Sequence, residues 1–499
     1  MKNDATYSRP VAAAVRLGES ALDRYRFIDK QILLTGESEL LATANGRECF
    51  MDSLHLLIRI CKNVSIHLPC GFDDLSSESG SIADRINFGC NIRFLKEPSE
   101  LNQYDAVLSV GTKAQPALPW TVINSNGWLA RVSSGRTDLP SDCSLANPIS
   151  SLAAASLGVS EVFKRLLRIK EERGRFFDNL TFSLFTYKTD DSDIGPPLPE
   201  SIQLESALLV GVGAIGNGIV HLLNQLPVQG SLMILDIQVF QPENLGTCLL
   251  IGPSEIGKEK SLFAEELLKG KMAAKGYNED LFSFKAKLGA ALPYPSVILN
   301  ALDNIPARHA SQDIWPDVII DGAISDFACQ VSRHPWGEDI ACLKCVFREA
   351  ARSAEKDAST ATGLREDRVR QAFEVVDEQD ILLAPAEKKD WLREHLGQKL
   401  CSVIQDGVAQ QISKDKQNAL FEPSVPFVAC LSASMVIAEL VKSAAGWKSS
   451  LEPRFQFDVL RGPDYGQPFP QSRRRDCICV ERESNINKIK LRRSGKKRA

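Results

Sequence analysis

Apolar residues in the first part of the chain fall alternately into short continuous runs and helically spaced sets. Gln31–Leu34 and Val64–Leu68 have the length and continuity of buried strands, and Cys49–Cys61 between them carries apolar residues at helical spacing. Asp105–Val110 repeats the strand pattern and stops at Gly111, and Ser150–Ile169 is an Ala/Leu-rich helix. This is the grammar of an α/β domain, and no phosphate-binding loop interrupts it. Thr189–Pro199 is polar, acidic and Pro-rich, which predicts a linker. A second α/β series follows: Leu204–Val210 as a strand, GVGAIG as a turn, Asn217–Leu226 as a helix, then strands at Ser231–Asp236, Val297–Leu302 and Val318–Ile320. The pattern divides the chain into an α/β region at 1–188, a linker at 189–200 and a second α/β region beginning at 201–349. A charged, helix-like insertion at 350–422 comes next, then a completing segment at 423–480 and a basic flexible tail at 481–499. The apolar run Val425–Val441 is broken by Pro426, Ser432, Ser434 and Glu439, so it reads as a buried core helix, too short and too polar for a bilayer.

Composition narrows the class only a little. The chain has 499 residues and a net charge of −4, which excludes a protein that binds polyanions with its whole surface. No nucleic-acid or membrane partner is expected. The N-terminus lacks the apolar core of a signal peptide. Thirteen cysteines without such a signal point to the reducing cytoplasm, where thiols serve as core residues, metal ligands or nucleophiles.

The candidate chemistry starts at LLVGVGAIGNGI. Gly211, Gly213 and Gly216 form a G-x-G-x-x-G turn between a strand and a helix, where unpaired helix N–H groups can face a phosphate. Asp236 ends the next strand, where an acid can bind ribose hydroxyls. These features fit a dinucleotide as well as ATP. Lys258 and Lys260 in GKEK, and Asp303, Asn304 and Arg308 in ALDNIPAR, favour ATP. A carboxylate at a strand end can hold Mg²⁺ and a nearby lysine can neutralise phosphate oxygens, neither of which hydride transfer needs.

With these elements, VGVGAIG, LDIQVFQPENL, IGKEK and LDNIPAR, the chain resembles the ThiF/MoeB/ubiquitin-activating-enzyme superfamily. FEPSVPFVACLSASMVIAELVK is similar to that family's returning helix. The resemblance implies a Rossmann-like adenylation domain preceded by a degenerate, inactive α/β copy. It implies that Gly211, Gly213 and Gly216 approach ATP, Asp236 holds the ribose, Asn244 and Lys260 contact phosphates, Asn304 contacts the nucleotide, and Asp303 binds Mg²⁺. Tyr7-Ser8-Arg9 resembles the family's Tyr-x-Arg segment, whose arginine reaches into a partner's ATP site. Two departures stand out: Thr247 replaces a usual arginine, and Gln238 stands where a second acid is common.

Cys342 and Cys345 are spaced C-x-x-C, and Cys477 and Cys479 C-x-C, so the two pairs can supply four thiolates to a structural Zn²⁺. Cys49, Cys61, Cys248, Cys329 and Cys430 read as packed thiols, and His309 and His334 as structural histidines. Cys401 lies in the interval where the resembling family carries its thioester-forming cysteine. The function so implied is ATP-dependent adenylation of the C-terminal glycine of a ubiquitin-like protein, a thioester on Cys401, and transfer to a ubiquitin-conjugating-like enzyme. The organisation is similar to activating proteins of bacterial antiphage conjugation operons. Sulfur-carrier adenylation, an NAD-dependent oxidoreductase, a silent binding scaffold and a homodimer stay open.

Overall fold

The structure is a computed structural model that describes residues 7–17, 26–86, 89–97, 101–190, 192–347, 354–369, 371, 374–400, 403–404, 407, 425–449, 451, 454–462 and 472–495. The chain forms two compact units, one of Met1–Phe347 with Pro423–Ala499 and one of Arg348–Glu422.

The larger unit contains two seven-stranded sheets. The first is built from β1 (Gln31–Gly36), β2 (Asn63–His67), β3 (Asn91–Leu95), β4 (Ala106–Val110), β5 (Trp120–Asn126), β6 (Leu129–Ser133) and β7 (Leu180–Ser183), in the order β3-β2-β1-β4-β5-β6-β7. The second is built from β8 (Ile202–Val210), β9 (Val228–Leu235), β10 (Ala273–Tyr277), β11 (Val297–Asn300), β12 (Val318–Ser325), β13 (Ala328–Pro335) and β14 (Arg454–Asp458), in the order β10-β9-β8-β11-β12-β13-β14. Each sheet is parallel through its first five strands and antiparallel for its last two. The two halves therefore share one topology. Parallel strands covered on both faces are largely apolar, which is why the central strands read as near-continuous runs; β4 is buried at every position, while β5 is equally buried but carries Thr121, Asn124, Ser125 and Asn126.

The helices used below are α1 (Ser8–Arg16), α2 (Ala44–Leu57), α3 (Asp73–Ile86), α4 (Pro148–Leu166), α5 (Ala214–Gln225), α6 (Lys260–Leu268), α7 (Ile305–Gln312), α8 (Pro426–Ala444) and α9 (Glu483–Gly495). In each half a helix follows the first strand (α2, α5) and another precedes the last (α4, α8). The halves join where α4 packs on α8, flanked by α2 and α5. The equivalent helices α4 and α8 share Pro148/Pro426, Ala155/Ala433, Ser156/Ser434, Glu161/Glu439 and Lys164/Lys442 at one constant spacing. Both Glu–Lys pairs are fully buried ion pairs. Glu161 also accepts from the Phe177 N–H at 3.1 Å, and Glu439 from the Tyr187 hydroxyl at 2.8 Å. Lys164 donates to the Arg175 carbonyl and Lys442 to those of Leu184 and Phe185. Partners of this kind are what make a buried charge tolerable. By length and composition α8 could cross a bilayer, which corrects the expectation that this run is too short and polar. Its side chains from Pro426 through Lys442 are nonetheless buried inside the unit.

The tail expected to be flexible is corrected for 483–495, which form α9. Ile486 is buried, Lys490 Nζ donates to the Pro316 carbonyl at 2.8 Å and to Asp317 at 2.7 Å, and Arg493 donates to the Ile314 carbonyl at 2.7 Å. Its basic residues find acceptors on a distant loop instead of water.

The seam between α2 and α5 carries a titratable cluster. His221 Nε2 lies 2.7 Å from Asp52 Oδ1, and Gln225 donates to Glu48 at 2.5 Å. Burial, together with the charge of Asp52 and more weakly of Glu78, pushes the Glu48 carboxyl up to about 7 against the opposing pull of His221. Burial alone would lower His221, but the charges of Asp52 and Glu48 outweigh it and raise it, with Arg85 opposing. Both groups hold protons more tightly folded than unfolded, so folding takes up protons. The stability they contribute is present below their unfolded values and is lost as pH rises through the folded ones. Glu48→Gln is expected to raise the melting temperature at pH 8 and to flatten its decline between pH 5 and 8. Thermal melts across that range check this, and an unchanged slope would contradict it.

Candidate functional site

β8 delivers the chain into the glycine turn at the point where the strand order reverses, between β8 and β11, the usual ligand crevice of an open α/β sheet. Each glycine is there for a different reason. Gly211 has φ +93°, in the left-handed region, and a Cβ on it would lie 2.6 Å from the Ala301 carbonyl oxygen. A Cβ on Gly216 would lie 2.2 Å from the Gly211 carbonyl oxygen, so Gly216 lets α5 close onto the loop. A Cβ on Gly213 meets nothing within 4 Å; this face of the loop is open. The helix begins at Ala214, with Gly213 as its N-cap, so its first N–H groups lie in the loop itself. The variants should separate accordingly. Gly216→Ala is expected to destabilise the fold. Gly213→Ala should leave the melting temperature within about 1 °C of wild type while weakening nucleotide binding, as checked by melts and titration with an ATP analogue.

Asp236, one residue past β9, closes the loop. Its Oδ2 accepts from the Val212 N–H at 2.7 Å and its Oδ1 from the Gln238 N–H at 2.8 Å. A carboxylate has lone pairs beyond these two bonds for a hydroxyl ligand. Lys260, the first residue of α6, is 4% exposed, and its Nζ donates to Gln238 Oε1 at 2.8 Å. The residue that departs from the resembling pattern thus orients the lysine through a neutral amide and leaves its charge for a ligand. Lys258 instead pairs with Glu255 at 3.2 Å, half-exposed.

Asn244 Oδ1 accepts from the Gln241 N–H at 2.9 Å and fixes the turn Pro242–Gly246. Thr247 is 3% exposed, so this position presents no cation. α1 packs against this same turn. Burial lowers the Arg9 guanidinium, while Glu243 and Cys248 hold it charged. Buried Cys248 in turn feels Lys260, Arg59 and Asp236. α1, which carries Arg9, thus lies against the turn that Asn244 fixes.

On the other side of the crevice, Asp303 is exposed just after β11 and accepts from Asn304 Nδ2 at 3.0 Å. Asn304 itself is the N-cap of α7, its Oδ1 accepting from the Ala307 N–H at 2.8 Å. Arg308 is buried and donates to both oxygens of Asp321 at 3.0 and 3.2 Å, tying α7 to β12. Burial raises the Asp321 carboxyl and Arg308 opposes it.

The equivalent crevice of the first half holds no such loop. Glu37 follows β1, and its carboxylate accepts from the Thr112 N–H, the Thr112 hydroxyl and the Lys113 N–H at 2.8–3.0 Å. A side chain of the protein takes the amides that an anion would take.

Cys342, Cys345, Cys477 and Cys479 are buried with their sulfurs within 4.8 Å of one another. Neighbouring sulfurs lie 3.8, 3.7 and 3.6 Å apart. A tetrahedral Zn²⁺ with Zn–S bonds of about 2.3 Å needs sulfurs about 3.8 Å apart, so the set fits that ion. Cys49, Cys61, Cys248, Cys329 and Cys430 are all buried, and burial raises the Cys61 thiol to about 12, far from nucleophilic use. His309 lies 2.6 Å from the Phe347 carbonyl oxygen and His334 2.5 Å from that of Ala341, as structural histidines do. Cys401 lies outside the described residues. In its unit, the preceding Leu400 is buried in a small core with Leu364, Val376, Ile381, Leu392 and Val403. Sequence reasoning missed Glu37, Arg59, Asn217 and Asp321; Asn217 directly follows Gly216 in the glycine motif, which could have marked it, and the other three sit in no recognisable motif.

A glycine loop at the reversal point, an acid bound to it, a buried lysine beside it and a four-cysteine cluster define one class of protein. The ThiF family model matches residues 185–479, and the chain belongs to the ThiF family, with the Rossmann-like fold of the ThiF/MoeB/E1-like adenylating enzymes. Among individual proteins it is similar to the uncharacterized protein y4jF of Sinorhizobium fredii, 23% identical over 475 residues, covering 91% of this chain and 90% of that one. Solved structures similar to it include E. coli MccB (14% identity, TM-score 0.35, 55% of this chain and 65% of that one) and E. coli MccB with ATP (13%, 0.35, 56% and 67%).

Proposed function

We propose that the second half of the larger unit binds ATP and adenylates the C-terminal glycine carboxylate of a ubiquitin-like protein. The observation that carries this reading is the open face of the loop at Gly213, closed on one side by Asp236 and flanked by Lys260. The loop amides and the α5 N-terminus receive phosphate oxygens, and Asp236 accepts from the ribose hydroxyls. Lys260, Asn244 and Arg9 line the phosphates, and Arg9, supplied by the first half, takes up charge that Thr247 does not. Asp303 would hold Mg²⁺, which when bound neutralises phosphate charge. A carboxylate oxygen attacks the α-phosphorus; an acyl–O–P bond forms, the bond to the bridging oxygen breaks, and pyrophosphate leaves. Positioning and electrostatic preorganisation supply the rate. The Cys401 thiolate then attacks the acyl carbon, forming a C–S bond and expelling AMP, and the thioester passes to a ubiquitin-conjugating-like enzyme. The four cysteines hold a structural Zn²⁺, and the reaction belongs to the cytoplasm.

The test is ATP–pyrophosphate exchange with candidate ubiquitin-like proteins. Exchange should require both Mg²⁺ and the protein partner, and quenching of NADH fluorescence without exchange would support the oxidoreductase reading instead. Cys401→Ala should keep exchange and lose the thiol-sensitive adduct seen on non-reducing gels. Retention of the adduct would assign the acceptor to another thiol, and formation of a thiocarboxylate on the partner would point to sulfur-carrier activation.

A further inference from the structure

The strongest link between the inactive first half and the crevice of the second is a single side chain. Arg59 follows α2 in the first half and is fully buried. Its Nε donates to the Cys248 carbonyl at 2.9 Å, and its Nη2 to the carbonyls of Leu249 at 2.7 Å and Ile251 at 2.9 Å. Its Nη1 donates to the His55 carbonyl at 2.6 Å, which fixes the guanidinium to its own helix. The hydrogen-bond acceptors are all backbone oxygens. A planar, fixed fork of donors is what several carbonyls in a row require, and a lysine could not reproduce it. Burial lowers this guanidinium only to about 10, so it stays charged at neutral pH.

The segment it grips connects two parts of the crevice. Residues 248–251 directly follow the Asn244–Thr247 turn. Between the two carbonyls held by Nη2, the Leu250 N–H donates to Asn217 Oδ1 at 3.2 Å. Asn217 lies on α5, fully buried, and its Nδ2 donates to the Val212 carbonyl in the glycine loop at 3.1 Å. One hydrogen-bonded path thus runs from Arg59 through residues 248–251 and Asn217 to the glycine loop. The segment has no slack on its other side either. A Cβ on Gly252 would lie 2.1 Å from the carbonyl oxygen of Arg85 in α3, so the chain here is pressed onto the first half.

We propose that Arg59 is a positioning residue for adenylation: from the inactive half it sets the distance between the Asn244–Thr247 turn and the glycine loop, and so the alignment of the α-phosphate with the incoming carboxylate. Arg59 does not touch ATP; it acts through backbone that does. The inactive half is in this view a jig for the active one. The inference rests on the adenylation reading above.

The experiment measures pyrophosphate exchange by the full chain as wild type, as Arg59→Lys and Arg59→Met, and as Arg59→Ala for chemical rescue. Each is assayed at a temperature where circular dichroism shows it folded. Absence of exchange in the wild type with every partner would overturn the adenylation reading and, with it, this inference, whereas an active wild type tests this inference alone. With an active wild type, Arg59→Lys and Arg59→Met should both lose roughly ten- to a hundredfold in kcat/KM for ATP, since a misplacement of about 1 Å can cost that much. The KM for the protein partner should stay unchanged, a split that general destabilisation does not produce. Millimolar guanidinium should partly restore Arg59→Ala. Wild-type kcat and KM for ATP in a folded Arg59→Met overturns the proposal. Should no variant fold, hydrogen exchange on the wild type decides. Saturation with a non-hydrolysable ATP analogue should slow exchange in peptides covering both 248–252 and 56–61, and a response confined to the second half overturns the coupling.

Discussion

Stripping the metal from the four-cysteine cluster is expected to lower the melting temperature of the larger unit by roughly 5–10 °C and to release the C-terminal helix. The cluster joins residues 342 and 345, just after β13, to residues 477 and 479, just before α9. Apart from it, the contacts of α9 include the buried Ile486, the bonds of Lys490 and Arg493, the Arg493 guanidinium over the Tyr294 ring, the bond of Trp336 to Asn487 at 2.8 Å and the pair of Arg473 with Glu483 at 2.8 Å. Apart from Ile486, those are polar contacts at a partly exposed surface, each contributing about 1 kcal/mol. The four sulfurs sit among Trp315, Ala341 and Ile486, where unligated thiols would pack at non-bonded sulfur distances with little attraction to offset the chain entropy of closing the loop. Loss of a structural metal is among the few single changes that cost about 4 kcal/mol or more. Cys345→Ser should reproduce the effect of a chelator. The measurements are zinc content, about one per chain, a thermal melt with and without chelator, and limited trypsin cleavage at Arg473, Arg474 and Arg475. Cleavage there should accelerate when the metal is removed. A fully folded chain with no bound zinc and a chelator-insensitive melt would refute the metal reading.

What the sequence displayed clearly is what local pattern encodes. Continuous apolar runs marked β1, β2, β4, β8, β9, β11 and β12, because strands covered on both faces have no polar side to interrupt them. The glycine motif at 211, 213 and 216 was legible because backbone conformation at 211 and close approach at 211 and 216 permit nothing larger there, while 213 keeps its face of the loop open. The cysteine pairs were legible by spacing, and the sulfurs do meet. What stayed hidden depends on contacts between distant segments. Arg59 is bonded to residues about 190 positions further on, and nothing around it marks it. The tail looked solvated because its acceptors, Ile314 to Asp317, lie far back in the chain. The duplication was faint for a related reason. Equivalent helices keep the buried Glu–Lys pair and the leading proline, while most of their other positions differ, as at Gly158/Val436 and Phe163/Val441. Asn304 was read as a nucleotide contact, and its geometry is that of a helix cap.

That last point yields the sharpest division within the crevice. Asp303 and Asn304 are adjacent, both exposed, and hydrogen-bonded to each other, yet substitution should separate stability from chemistry. Asn304→Ala removes the oxygen that receives the Ala307 N–H, a loss of about 1 kcal/mol of helix stability. Adenylation by the folded fraction should then stay within a few-fold of wild type. Asp303→Ala removes a carboxylate whose one side-chain contact of note is the Asn304 amide, so the melting temperature should hardly move. If Asp303 holds the ion that balances phosphate charge, kcat/KM for pyrophosphate exchange should fall by about 10²–10³, the usual size of one preorganised electrostatic contact to a reacting group. Lys260→Ala should fall as far, with a modest loss of stability because the lysine is buried with its ammonium over the Phe240 ring. In the proposed site Lys260 and Asp303 serve the same phosphates from α6 and from the end of β11, and groups that act as a unit are not additive. The double variant should therefore lose less than the product of the single losses. Equal and small losses for Asp303→Ala and Asn304→Ala would mean that this edge of the crevice is only a helix start, and the nucleotide would have to be sought elsewhere along the glycine loop.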